Sequence, residues 1–154
     1  MLIRASLASA LMLILVACGG PQKGASSQPA GKAGVEFRLL SPTETGGEQV
    51  STWDGKMKMA VEAKVWFTDR DIETVKLENL PDGSPAINIQ LDPTASLALE
   101  DLTTKNRGRR IGVLVGGKIV AAPTIKDMIK GGLMTIVGQT PDETRTIYKH
   151  MTGK

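Results

Sequence analysis

The sequence predicts an α+β domain, a mostly antiparallel sheet with two main helices packed on one face. Three observations carry that expectation. Apolar residues alternate with polar ones in several short runs between Val35 and Val137, the period of half-buried strands. Two stretches open on a capping residue followed by proline, Asp92-Pro93 and Thr140-Pro141, as helices do. Two double glycines, Gly116-Gly117 and Gly131-Gly132, mark sharp reversals beside strands. The succession strand, helix, hairpin, strand, helix then favours helices gathered on one side of the sheet.

The first residues stand outside this fold. MLIRASLASALMLILVAC carries Arg4 ahead of an apolar run from Leu7 to Val16. A bilayer span needs about 20 apolar residues, so residues 1–17 are expected to be a signal peptide. Leu15-Val16-Ala17-Cys18 has the form of a bacterial lipobox, which makes Cys18 the lipidated first residue of the mature chain. Cys18 is the only cysteine, so no intramolecular disulfide can form. Several acyl chains on one residue anchor durably where a single chain is marginal. Gly19, not aspartate, follows the cysteine, which in a Gram-negative envelope favours the outer membrane facing the periplasm. Residues 18–34 continue as GGPQKGASSQPAGKAG after the cysteine, too polar and too small in side chain to pack, and are expected to be a flexible tether. Residues 35–154 suffice for one domain.

Within that domain, Val35 to Leu40 alternates Val35, Phe37 and Leu39 against Glu36 and Arg38. Ser41 to Gly55 reads as a loop. From Met57 to Phe67 a long alternation puts Met57, Met59, Val61, Ala63, Val65 and Phe67 on one side. Trp66 falls on the other side, as a partner contact or a cover for a neighbouring strand. Ile72 to Glu78 fits a strand or a helical turn, Pro81-Asp82-Gly83 is a turn, and Ala86 to Leu91 is a strand. Asp92 then caps a helix whose buried face carries Ala95, Ala98, Leu99 and Leu102, ending at Asn106 or Gly108. Ile111 to Val115, the Gly116-Gly117 turn and Lys118 to Ala122 form a tight hairpin that Pro123 ends. Thr124 to Lys130 places Ile125, Met128 and Ile129 at helical spacing. Gly131-Gly132 marks a second sharp reversal before a strand with Leu133, Thr135 and Val137. Thr140-Pro141-Asp142-Glu143 opens the last helix with a capping box, and Thr144, Ile147, Tyr148 and Met151 form its buried side.

Composition and motifs exclude several functions. The net charge is +3, and removal of residues 1–17 takes away Arg4 and no acid, so the mature chain is close to neutral. The five aromatics are dispersed, and nucleic acid, which needs a basic face or a stacking platform, is not an expected partner. GVLVGGK from Gly112 to Lys118 mimics a phosphate loop, but Ile119 replaces the magnesium-binding hydroxyl and the intervening residues suit a strand. His150 is the only histidine, and no carboxylates sit at metal-ligand spacing, so no metal or cofactor is expected. Asp69, Asp71 and Glu73 are too few for calcium and read as a solvated turn. Neither a GxSxG elbow nor an SxxK pair is present, which points away from an enzyme.

From about Ala63 to Gly153 the chain resembles the large extracytoplasmic domain of SecD, the accessory subunit of bacterial protein export. The matching residues are Asp71-Ile72, Pro85-Ala86-Ile87, Leu102-Thr103 with Asn106 and Gly108, the GGKIVAAP hairpin, Ile129 with Gly131-Gly132, Ile136 with Gly138, and Thr140 with Glu143. Gly116 departs from the aspartate usual in that family, and Gln139 from a common phenylalanine. Gly116, Gly117, Pro123, Gly131 and Gly132 are expected to act structurally, as turn and strand-end residues. SecD also carries transmembrane helices coupled to the proton gradient, and no such apolar span follows residue 18 here. The resemblance implies a lipid-anchored module that contacts polypeptide substrate or Sec translocon components. The alternative is a structural or regulatory envelope lipoprotein that reuses the fold for an unrelated partner. Ile125, Met128 and Ile129 either plug the core or line an apolar groove for loosely folded polypeptide.

Overall fold

The computed structural model describes residues 34–154, so the signal-peptide and tether expectations lie outside the described residues. Eight strands and two helices follow in order: β1 Val35–Leu40, β2 Glu48–Ser51, β3 Lys58–Thr68, β4 Ile72–Asn79, β5 Pro85–Leu91, α1 Pro93–Lys105, β6 Ile111–Val115, β7 Lys118–Ala121, β8 Leu133–Ile136 and α2 Pro141–Thr152. The α+β class is as expected, and every strand pairing within the two sheets is antiparallel. The strands divide into a five-stranded sheet, β2-β3-β1-β6-β7, and a three-stranded sheet, β4-β5-β8.

The main core lies between these sheets and the helices. Val35, Phe37 and Leu39 of β1, Ile111, Val113 and Val115 of β6, and Ile87, Ile89 and Leu91 of β5 meet Leu99, Leu102, Ile147 and Met151 of the helices. A smaller cluster occupies the opposite face of the five-stranded sheet, with Leu40, Val50, Val61, Leu114 and Ile119. That sheet curls so that its two outer strands nearly meet. Thr52 bridges to Ile119, and the Trp53 N–H donates to the Ile119 carbonyl at 2.8 Å. The curl shields the small cluster without a covering helix.

Bulges in β3 make the curl possible, and they overturn its expected single apolar face. Phe37 lies opposite Phe67 but Arg38 opposite Val65, so Trp66 is an extra residue. Leu40 lies opposite Val61, which takes up two more. Each bulge bends the strand and changes which side chains face inward. Phe67 therefore faces the main core and Val61 the small cluster, while Ala63 and Val65 are exposed; Met57, in the turn before β3, is exposed as well. Trp66 packs half-buried against the main core with the Lys64 ammonium 3.4 Å above its ring, covering a neighbour as one of its two readings had it.

Other expectations need correction. The loop from Ser41 to Gly55 contains β2, whose only buried residue is Val50. Arg38, expected on a polar face, is buried. Its Nε donates to the Glu62 carbonyl at 2.8 Å and its Nη1 pairs with Glu48 at 2.8 Å, so its charge is satisfied inside the curl. In α1 Ser96, not Ala98, is buried, and Ser96 Oγ donates to the Leu91 carbonyl at 3.2 Å. In β8 Met134 and Ile136 face inward, and Leu133, Thr135 and the following Val137 are exposed. In the α2 cap, Thr140 accepts from the Glu143 N–H as expected, but the Glu143 carboxylate accepts from Gln139 N–H and not from Thr140.

Candidate functional site

The curled sheet leaves a cleft of about 950 Å³ at one mouth. Its apolar lining includes Leu40 from the end of β1 and Met57, Met59 and Ala60 from the turn and strand at the start of β3. Met57 is 58 % exposed, a long flexible apolar side chain presented to solvent. The loop from Ser41 to Gly47 supplies a polar wall, and Gly108, Arg109 and Arg110 close the far side.

The arginines are held in place by backbone carbonyls. Arg109 donates through Nη2 to the Leu40 carbonyl at 3.0 Å and through Nη1 to Asn106 Oδ1 at 3.1 Å, and it forms an ion pair with Glu62. Arg110 Nε donates to the Ala122 carbonyl at 2.8 Å. Arg109 stays about one-third exposed with its charge paired to Glu62, and Arg110 is exposed beside it. No histidine or cysteine lines the cleft. Its lining offers adaptable thioethers for varied apolar groups, with cationic and polar groups at the rim.

The residues singled out from sequence sit elsewhere. Gly116 and Gly117 both take positive φ, 56° and 76°, the geometry of the expected tight hairpin. Pro123 does not end the pairing: β7 stops at Ala121, but the Pro123 carbonyl accepts from the Ile111 N–H at 3.0 Å and antiparallel contact continues past it. Gly131 and Gly132 also take positive φ. Thr124 to Lys130 contains no helix. Thr124 bridges to Arg110, the Ile125 N–H donates to the Arg109 carbonyl at 2.8 Å, and the Ile129 N–H donates to Thr103 Oγ1 at 3.0 Å. Ile125 belongs to the main core and Ile129 packs against it, while Met128 is half-buried. None of the three lines the cleft. The methionines that do line it, Met57 and Met59, were read from sequence only as one side of a long alternating strand. Cys18 lies outside the described residues.

A second, smaller cleft of about 140 Å³ includes Thr52, Trp53, Asp54 and Gln139. The Thr52 hydroxyl donates to Asp54 at 2.5 Å, followed by the Lys56 N–H at 3.1 Å and Gln139 Nε2 at 3.3 Å. These donors, Thr52 first, hold the Asp54 carboxyl at about 2. Asp71, part of the acidic run, accepts from both the N–H and the hydroxyl of Thr68, the residue that caps a single 3-10 turn over Asp69–Asp71. Among the described residues no group of three or more His, Cys, Asp or Glu is placed to hold a metal ion, and no helix is long and apolar enough to cross a membrane.

Comparison with known proteins places this arrangement. The protein translocase subunit SecD of Acidaminococcus fermentans is 30% identical over 95 residues, covering 59% of this chain and 23% of that protein. The SecD of Thermobaculum terrenum is 33% identical over 82 residues, 53% of this chain and 16% of that protein. The chain thus spans less than a quarter of the length of these relatives. A solved structure of SecDF, a membrane component that enhances protein export, superposes with a TM-score of 0.62 at 18% identity, covering 79% of this chain and 63% of that one. SecDF of Thermus thermophilus, a translocon-associated membrane protein, gives 0.59 at 20% identity, over 79% of this chain and 19% of that one. These likenesses show a shared fold. The family model described as the SecDF P1 head subdomain matches residues 43–151, reaching twenty residues ahead of the resemblance read from sequence and taking in β2 and all of β3. The chain belongs to the SecDF P1 head subdomain family.

Proposed function

We propose that this protein is a lipid-anchored envelope module that assists protein export or envelope maturation by contacting polypeptide or translocon. Cys18 carries the acyl chains, residues 19–34 give reach, and the domain works on the periplasmic side of the outer membrane. The observation that carries the contact is the cleft: an exposed Met57 beside Met59 and Leu40, flanked by fixed arginines. Such a surface suits loosely folded chains, because methionine repacks around varied side chains at little cost. The alignment of the translocase subunits SecD with this chain supports the export setting.

The test is capture of an unfolded, export-competent polypeptide by the acylated protein in detergent. Met57→Glu should leave thermal melting unchanged, since Met57 is exposed, and should weaken capture about tenfold or more. Capture that is indifferent to Met57→Glu would remove the cleft from the account.

A further inference from the structure

The three-stranded sheet has an open edge. β4 pairs with β5 on one side, and among the described residues no strand pairs with its other side. The parity of the ladder shows which groups lie there. The Leu80 N–H donates to the Ser84 carbonyl at 2.8 Å, so residues 80, 78, 76 and 74 direct their backbone groups at β5. The Leu91 N–H donates to the Gly132 carbonyl at 3.1 Å, which places the odd residues of β5 toward β8 by the same rule. Val75, Leu77 and Asn79 therefore turn their N–H and C=O groups outward. Lys76, Leu77, Glu78 and Asn79 are exposed, and β4 has neither proline nor a bulge after Thr74. Proteins usually blunt such an edge, because it is a template for another strand.

We propose that this edge pairs two copies of the chain, antiparallel about a two-fold axis at Leu77. An antiparallel partner must meet outward groups with outward groups, so only registers joining odd residues to odd residues are open. Centred on Lys76, the pairing would set Lys76 against itself. Centred on Val75, it would set Lys76 against Thr74 and Glu78 against Ile72. Centred on Leu77, it sets Lys76 against Glu78 of the second copy and Glu78 against Lys76 of the second copy. These positions are non-hydrogen-bonded pairs, where side chains approach closest and opposite charges count most. The same register brings Leu77, 36 % exposed in one copy, onto its own counterpart. Val75, Leu77 and Asn79 then supply six backbone hydrogen bonds, and the sheet becomes β8-β5-β4-β4-β5-β8. The surface is self-complementary, as a two-fold interface requires.

The experiment uses the full chain in detergent, followed by sedimentation equilibrium. The native chain should show a concentration-dependent dimer. Lys76→Glu alone and Glu78→Lys alone each oppose like charges twice and should weaken it about tenfold or more, with little change in melting, since both residues are exposed and Glu78 gives up only the hydrogen bond it accepts from Asn88 Nδ2 at 2.7 Å. Mixing the two variants restores opposite charges at both positions and should restore dimer between differently tagged chains. A second readout is Leu77→Cys together with Cys18→Ser, which leaves one thiol per chain. Hydrogen-bonded antiparallel partners stand about 5.5 Å apart at Cα, within reach of a disulfide, so mild oxidation should yield a covalent dimer. A native chain that stays monomeric, a dimer unaffected by the single variants, or an edge that takes an unrelated extended peptide in place of a second copy would each overturn the proposal.

Discussion

Replacing Gly132 by alanine separates backbone conformation from packing at one site. Gly131 and Gly132 share nearly the same φ, 70° and 71°. A Cβ at Gly131 would meet nothing within 4 Å, whereas a Cβ at Gly132 would lie 1.9 Å from Ser96 Oγ, 2.8 Å from Ser96 Cβ and 3.2 Å from Ser96 Cα. Gly131→Ala should therefore cost only the left-handed strain, about 1–2 kcal/mol. Gly132→Ala adds overpacking against a helix that cannot retreat without losing Ala95 and Leu99 from the core, and should cost about 2–5 kcal/mol in all. Urea unfolding at constant m gives both values. Ser96→Gly in the Gly132→Ala background removes the two closest atoms and should recover more than the about 1 kcal/mol that a helical glycine costs alone. Equal destabilisation by Gly131→Ala and Gly132→Ala would refute the close approach of α1 to this turn.

Three further outcomes follow from the structure. Asp54 is held at about 2 in the folded protein against 3.8 in the unfolded chain, so its contribution to stability is complete above pH 3.8 and is lost as pH falls through about 2. Asp54→Asn should lower the melting temperature near neutrality, and the gap to the native protein should close between pH 4 and 2; a gap independent of pH would contradict the hydrogen bonds from Thr52 and Lys56. Ile125→Lys buries a charge in the main core and should cost several kcal/mol, on the order of 3–5, whereas Met128→Lys, half-buried, should cost under about 2 kcal/mol by calorimetry. Cys18→Ser should abolish processing and acylation, read by mass and membrane fractionation; a variant cleaved to the same mature size that still sediments with membranes would contradict the anchor.

Much of this fold was legible because some residues have only one use where they stand. Asp92 before Pro93 and Thr140 before Pro141 locate helix starts within a residue, since each cap accepts a backbone N–H that has no helical partner. The Gly116-Gly117 pair fixes its hairpin because both positions need positive φ. What stayed hidden depends on partners distant in the chain. β2 buries only Val50, so alternation has too little to work on. The bulges of β3 leave no mark in composition, yet they decide that Phe67 faces the main core and Val61 the small cluster. In β8 both parities are apolar. The pairing of Ile89 with Met134 and of Ile87 with Ile136 selects the inward set. Thr124 to Lys130 has helical spacing, but seven residues cannot offset nucleation, and Arg109 and Thr103 satisfy its backbone in an extended path. The candidate cleft was illegible for the same reason: its walls come from β1, β3 and the segment before β6, brought together only by the curl.

A photo-crosslinking amino acid at position 57 of the full-length protein in growing cells asks whether this module meets polypeptide or translocon through the mouth of its curled sheet. Ultraviolet-dependent crosslinks to translocon subunits or to secreted chains in transit are expected, lost when export is blocked and absent from the same probe placed at exposed Leu97 on α1. A single dedicated partner unrelated to export, crosslinked equally with export blocked, would contradict that contact.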